Sequence, residues 1–292
     1  MQQPPELSIV VGASEGQRDP TSCLVALCAQ SRGRVVEILF VGNAAHPATA
    51  VARRFARVTV IESDRVRLVP ELWGLGVAQS RGEIVAITIS GCVPGPDWVA
   101  GLLREHQRPD AAIGGAIEQA EPAGVVDWAV YFVRYASYMG PFVAAAVRDV
   151  PGDNGSYKRS SIATEMDEIA RDGFWETSIN ATLRARGQTL RMDPALLVWH
   201  THSYAVAEFS HQRFRHAHRF GRERGASMSR VQALVRAVAA PLSLATMVLR
   251  SSRQVLRRKR HRRMMLLALP LTTWFYGCWV VGEALGLVRS GD

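Results

Sequence analysis

Along the first 120 residues, short apolar runs alternate with stretches of helical periodicity. The runs at 7–11, 35–41, 57–61, 83–89 and 111–117 are rich in Val and Ile, which suit a buried pleated surface, and predict strands. Between them, 21–30, 48–55, 71–80 and 96–107 read as helices punctuated by Gly or Pro. Near-continuous apolar strands separated by helices predict an α/β chain with a mainly parallel sheet covered on both faces. Beyond them, 124–137 has the spacing of an amphipathic helix, polar 150–161 reads as an ordered loop, 176–186 as a short helix, and 189–200 as a return of one strand or two. From about residue 205 the chain turns helical and basic. The pattern therefore divides into 1–205 and a tail, 206–292.

Composition sharpens that division. The chain has 292 residues, 48% of them apolar, so a largely disordered protein is excluded. Its four cysteines, Cys23, Cys28, Cys92 and Cys278, form no CxxC pair, which argues against a disulfide scaffold or a thiolate zinc site. The net charge of +9 is unevenly placed: residues 1–200 carry 19 basic and 22 acidic side chains, residues 201–292 carry 16 and 4. The initial MQQPPE lacks an apolar signal region, so the first domain is expected to stay in the cytosol. In a parallel sheet, ligands bind beyond the carboxyl ends of the strands. No GxGxxG or GxxxxGK[ST] occurs there, which weighs against dinucleotide enzymes and P-loop NTPases.

Five segments taken in order, LSIVVGASEG, CLVALCAQSRGRVVEILFVGN, RGEIVAITISGCVPGPDWVAGLL, PGDNGSYKRSSI and DGFWETSINATLRARGQTL, resemble the inverting family-2 glycosyltransferases over roughly residues 7–220. The resemblance implies a Rossmann-like GT-A domain that takes a nucleotide-sugar donor. Inverting transfer is a single in-line displacement, which needs one general base on the acceptor hydroxyl and stabilisation of the departing diphosphate. By the resemblance, Glu176 stands where the family's base stands. Ala13, Ser14, Glu15, Asn43, Ser90, Gly91 and Cys92 fall at donor-binding positions, and Asp153, Asn154 and Trp175 on the acceptor side. The plainer readings stay open beside these. Glu176 suits a helix N-terminus, Asp153 and Asn154 suit a turn, and Cys92 suits a buried apolar position.

Two departures from the family pattern stand out. Relatives end the fourth strand with an acidic cluster that holds Mg2+ or Mn2+ against the diphosphate; here the chain reads Ile89-Ser90-Gly91-Cys92. Asn43 stands where an Asp usually contacts the base or ribose. His200 and His202, two apart on a strand, share a face and are weak metal candidates, because zinc takes at least three protein ligands. Without the acids, either Arg, His and backbone N–H groups meet the diphosphate charge, or the chain is an inactive GT-A-fold scaffold.

In the tail, 211–225 reads most plainly as a solvated basic helix. Seven Arg or Lys crowd residues 253–263, and 264–288 then carries one charge, Glu283. Such a run is long enough to span a bilayer, and the polybasic segment before it predicts a cytoplasmic start. The tail thus points to an anionic membrane surface and an acceptor such as a lipid-linked or envelope glycan. Residues 231–249 are expected in the interface and 264–288 inserted or re-entrant. Nucleic acid is disfavoured, since no recognised motif accompanies the arginines.

Overall fold

The structure is a computed structural model that describes residues 4–13, 16, 19–226 and 228–289. The chain folds as two compact units, Met1–Glu118 with Gly140–His202, and Gln119–Met139 with Ser203–Asp292. Its elements begin β1 (Leu7–Gly12), α1 (Thr21–Gln30), β2 (Val36–Asn43), α2 (Pro47–Ala52), β3 (Val58–Ser63), α3 (Val69–Gln79) and β4 (Ile84–Ile89). They continue β5 (Cys92–Pro94), α4 (Trp98–Glu105), β6 (Ala112–Gln119), α5 (Val125–Tyr135), β7 (Ala145–Val147), β8 (Asn154–Lys158), α6 (Met166–Asp172), α7 (Glu176–Ala185) and β9 (Leu190–His200).

The first unit is built on one sheet of order β3-β2-β1-β4-β8-β6-β9-β5, with β7 paired to β9. The four strands that the apolar alternation predicts first lie parallel in the order β3, β2, β1, β4. Every residue of β1 and β4 is buried, as expected of strands covered on both faces. Beyond β4 the sheet runs antiparallel through β8 to β6.

Strand β8 corrects the sequence reading of 150–161 as a loop. Its NGSYK run is polar, yet its first four residues are buried. The polar groups carry their partners with them. The Asn154 amide donates to the carbonyls of Ala116 (2.9 Å) and Leu196 (2.7 Å) and accepts from Trp98 Nε1 (2.9 Å). Ser156 donates to the Ile113 carbonyl and meets His106 Nε2 at 2.7 Å. A satisfied polar strand can be buried, and hydrophobic patterning does not detect it. Gly115 lets β6 and β9 come together: a Cβ there would lie 1.6 Å from the Leu196 carbonyl oxygen.

The second unit is helical: α5, then α8 (Val206–Ala226), α9 (Arg230–Val238), α10 (Ala240–Arg258) and α11 (Arg262–Arg289). Helix α11 lies along α8 at backbone contact. A Cβ on Gly282 would stand 2.5 Å from the Phe214 carbonyl oxygen, one on Gly286 2.3 Å from that of His218, and one on Gly221 2.3 Å from that of Glu283. The reading of 211–225 as a solvated helix is therefore wrong for one face. Gln212, Ala217 and Gly221 are buried, because glycines spaced four apart on α11 let the helices close. Helix α11 is long and apolar enough to anchor in a membrane, and only 33% of its apolar window is buried. Helices α9 and α10 meet at a 54° bend.

Candidate functional site

The carboxyl ends of β1, β2 and β4 gather most of the expected site residues. Gly12 closes β1, and Ala13 N donates to the Val41 carbonyl (2.8 Å), which ties this turn to β2. Asn43 ends β2; its side chain accepts from Ala45 N (3.0 Å) and donates to the Ser63 carbonyl (3.3 Å). Ala13 and Asn43 line one cavity of about 260 Å³. The other walls are Ala45, His46, Pro47, Val66, Arg67 and Leu72, which sequence reasoning missed. His46 accepts from Ala48 N as the cap of α2 (3.3 Å), and Arg67 bonds Ser63 Oγ (3.0 Å) and Asp64 (2.9 Å). The pattern His46-Pro47 is a legible helix start; that the cap also walls a cavity is a tertiary fact. Ser14 and Glu15, expected beside Ala13, lie outside the described residues.

Trp73 joins this end of β1 to the candidate base. Its Nε1 donates to the Thr88 carbonyl (2.7 Å), and a Cβ on Gly12 would touch its indole at 3.2 Å. A Cβ on Gly152 would stand 2.7 Å from the far edge of the same ring and 3.2 Å from the Glu176 carboxyl carbon. Glu176 is the first residue of α7, with Trp175 as N-cap, both half-buried. Asp153 is buried, and its carbonyl accepts from Thr88 Oγ1 (2.9 Å). Glycine at 152 is thus what allows the carboxylate, the Asp153 turn and the end of β4 to come together. The Asn154 side chain belongs to the internal network described above.

The turn after β4 is fixed on two sides. Ser90 N donates to the Gly12 carbonyl (3.0 Å), and Thr201 N donates to the Gly91 carbonyl (2.9 Å). Cys92 pairs with His200 across β5 and β9, which places the two side chains on one face, and His202 follows nearby, buried. Asp97, the first acid after β4, is exposed and caps α4 with a positive φ of 59°. Among the described residues no group of three or more His, Cys, Asp or Glu is arranged to hold a metal ion. Hard divalent cations take oxygen ligands, and the only side-chain oxygen in the Ser90–Cys92 turn is a serine hydroxyl. The donor set therefore does not fit Mg2+ or Mn2+ in the manner of an acidic cluster.

Elsewhere in this unit, burial and then the nearby Lys158 push the imidazole of His106 down to about 4. Burial raises the Cys23 thiol to about 12, an inert core position.

Comparison with known proteins gives fold without family. No family model matches the chain, and no curated protein matches its sequence. Among solved structures it is similar to the mannosyltransferase PcManGT from Pyrobaculum calidifontis in complex with GDP-Man and Mn2+. The TM-score is 0.57 at 13% identity, over 99% of this chain and 89% of that one. It is also similar to GalNAc-T7 with UDP, GalNAc and Mn2+, at TM-score 0.50 and 13% identity, over 68% of this chain and 44% of that one. The chain has a GT-A-like glycosyltransferase fold: mixed α/β with a mainly parallel central sheet and a long apolar C-terminal helix.

Proposed function

We propose that this chain is a family-2-like glycosyltransferase that moves a sugar from a nucleotide-sugar donor to an acceptor at a membrane surface, with inversion. The observation that carries the reading is the carboxylate of Glu176 packed against Gly152, beside the loop that Thr88 ties to the end of β4. In a GT-A-like fold this is the end of the sheet where donor and acceptor meet. The cavity of Ala13, Asn43, His46 and Arg67 then takes the nucleoside, with Arg67 and His46 supplying polar edges. The Ser90–Cys92 turn, with His200 and His202, meets the diphosphate. Asp153 and Trp175 line the acceptor side, and Asn154 positions that loop. Glu176 removes the proton of the acceptor hydroxyl as the anomeric bond to the diphosphate breaks.

The exposed apolar side chains of the helical unit support membrane association. Val231, Leu234, Val235 and Val238 of α9, and Leu266, Leu267 and Trp274 of α11, are exposed, and the seven basic residues of 253–263 run from the end of α10 into the start of α11. Apolar area next to clustered cations suits the anionic cytoplasmic face of a bilayer. A lipid-linked or envelope glycan acceptor suits that location.

The test is release of nucleoside diphosphate from a panel of GDP- and UDP-sugars with membrane extract, with and without Mg2+ or Mn2+. Turnover that persists in chelator supports diphosphate binding without an acidic metal site. Turnover abolished by chelator sends the diphosphate assignment back to the residues around His200 and His202. The absent acids after β4 also favour a second reading, an inactive scaffold; it gains if no donor is turned over under any condition.

A further inference from the structure

Helix α11 is long and apolar enough to cross a bilayer, but its packing within the helical unit argues against that use. Trp274 Nε1 donates to Ser210 Oγ (2.9 Å), Phe275 meets Phe209 edge-on at 4.7 Å, and the Arg213 guanidinium lies over Trp279 at 4.2 Å. Further along, Gly282 and Gly286 come to backbone contact with residues 214–222 of α8. Helices α8 and α11 therefore run parallel and side by side from Trp274 to Gly286. If α11 crossed a bilayer, α8 would cross beside it. Yet α8 exposes His211, Arg219, Arg222 and Glu223, and such groups do not face hydrocarbon. The part of α11 ahead of this contact, 262–273, is shorter than the about 20 residues a crossing needs.

The outward side of α11 has the opposite chemistry. Every exposed residue in 264–288 is uncharged, and Leu267, Trp274, Val281, Leu285 and Val288 recur at helical spacing on one face. The other face is taken up by protein, through Met265, Ala268, Phe275, Gly282 and Leu287. Helix α9 repeats the pattern, exposing Val231, Leu234, Val235 and Val238 at the spacing of a single face. On α10 the exposed Leu242, Leu249 and Leu256 stand seven apart, and exposed Arg250, Arg253 and Arg257 lie beside that stripe. Leucines flanked by long cationic side chains suit a helix lying at the headgroup boundary, with its charged tips in water.

We propose that α9, α10 and α11 lie in the plane of one leaflet of an anionic bilayer as a monotopic anchor. Their apolar stripes enter the acyl boundary, α8 stays on the aqueous side, and α11 does not cross. This rests on the membrane association proposed above and adds its topology. The arginines of α10 select anionic lipid, and the uncharged stripe of α11 supplies the buried area.

The experiment uses the full-length protein with Cys28→Ser and Cys278→Ser, which remove the two part-exposed thiols. In the first arm, Arg263→Cys and a cysteine appended after Asp292 are tested separately in inside-out membrane vesicles from expressing cells, with a membrane-impermeant maleimide. Modification of both in sealed vesicles is expected. Modification of the appended cysteine only after lysis shows a crossing helix and overturns the proposal. In the second arm, fluorophores at Leu242→Cys, Leu267→Cys, Trp274→Cys, Leu285→Cys and Arg222→Cys are read in phosphatidylcholine–phosphatidylglycerol vesicles carrying nitroxide lipids. The four stripe positions should be quenched best by nitroxide near the headgroup, and Arg222→Cys should not be quenched. Deep quenching confined to Trp274→Cys is the profile of a span and overturns the proposal. So does the lack of quenching on the stripe, as when a second copy of the chain covers it. If one of the α11 variants fails to fold, Leu266→Cys or Val281→Cys takes its place on the same face. Neither arm uses donor or acceptor, so loss of the transferase reading leaves the result standing. A crossing helix would overturn the in-plane anchor alone, whereas an unquenched stripe would remove membrane association as well.

Discussion

Single residues set the chemistry at the carboxyl end of the sheet. Glu176 needs only its first-turn position on α7 and the absence of a side chain at Gly152 to stand against the 152–154 segment. Gly152→Ala would drive a methyl into the Trp73 ring at 2.7 Å and crowd the Glu176 carboxyl at 3.2 Å. Overpacking of this kind costs about 1–3 kcal/mol, so a lower melting temperature together with reduced turnover is expected, with activity falling more than the loss of folded protein explains. His106 gives a pH signature. Its folded pKa of about 4 lies below the ordinary 6.5, so the unfolded chain binds more protons between these values. Stability is fully present above about pH 6.5 and declines as pH falls toward about 4. Urea melts across that window should show the decline, and His106→Gln should flatten it. The resemblance to the transferase family singled out Glu176 and Asn43 as candidates. His46, Arg67 and Trp73, which stand beside them, were not legible as neighbours, because that depends on which strand ends lie side by side.

At the level of elements, the strongly apolar strands were legible from periodicity to within a residue or two, and β8 was not. Its burial rests on Asn154 and Ser156, whose polar atoms are matched to β6, β9 and α4 rather than hidden by apolar bulk. Asn154→Leu would leave two buried carbonyls and an indole N–H without their partner, a loss on the order of 3 kcal/mol. A drop in denaturation midpoint of that size, with the slope unchanged, is the expected result. Helix α8 teaches the converse lesson. Its Arg- and His-rich sequence reads as solvated, while Gly221 and the Gly282 and Gly286 pair on α11 bring the two backbones together. Gly282→Leu should loosen the helical unit, seen as faster hydrogen exchange along α8 and α11.

Taken whole, the molecule separates chemistry from charge. Residues 1–200 are nearly neutral and hold the GT-A-like sheet; residues 201–292 carry 16 basic side chains against 4 acidic ones. Attraction of that segment to anionic lipid is worth about 1 kcal/mol per basic residue near the surface and is screened by salt. Replacing Arg257, Arg258, Arg260 and Arg263 by Gln should therefore weaken flotation on anionic vesicles steeply, and raised salt should do the same to the native protein. Net charge alone would have suggested a nucleic-acid partner; its position beside a helix long and apolar enough to anchor in a membrane is what the proposed membrane surface rests on. The proposed sugar transfer belongs to the other two hundred residues, and one comparison tests it most directly. Nucleoside diphosphate release and glycan product formation are measured for the native protein and for Glu176→Gln, each with the donor that the native protein turns over. The account predicts native turnover and a fall of about 10²–10⁴-fold in the variant, with donor affinity and melting temperature little changed. Undiminished transfer by Glu176→Gln would contradict it.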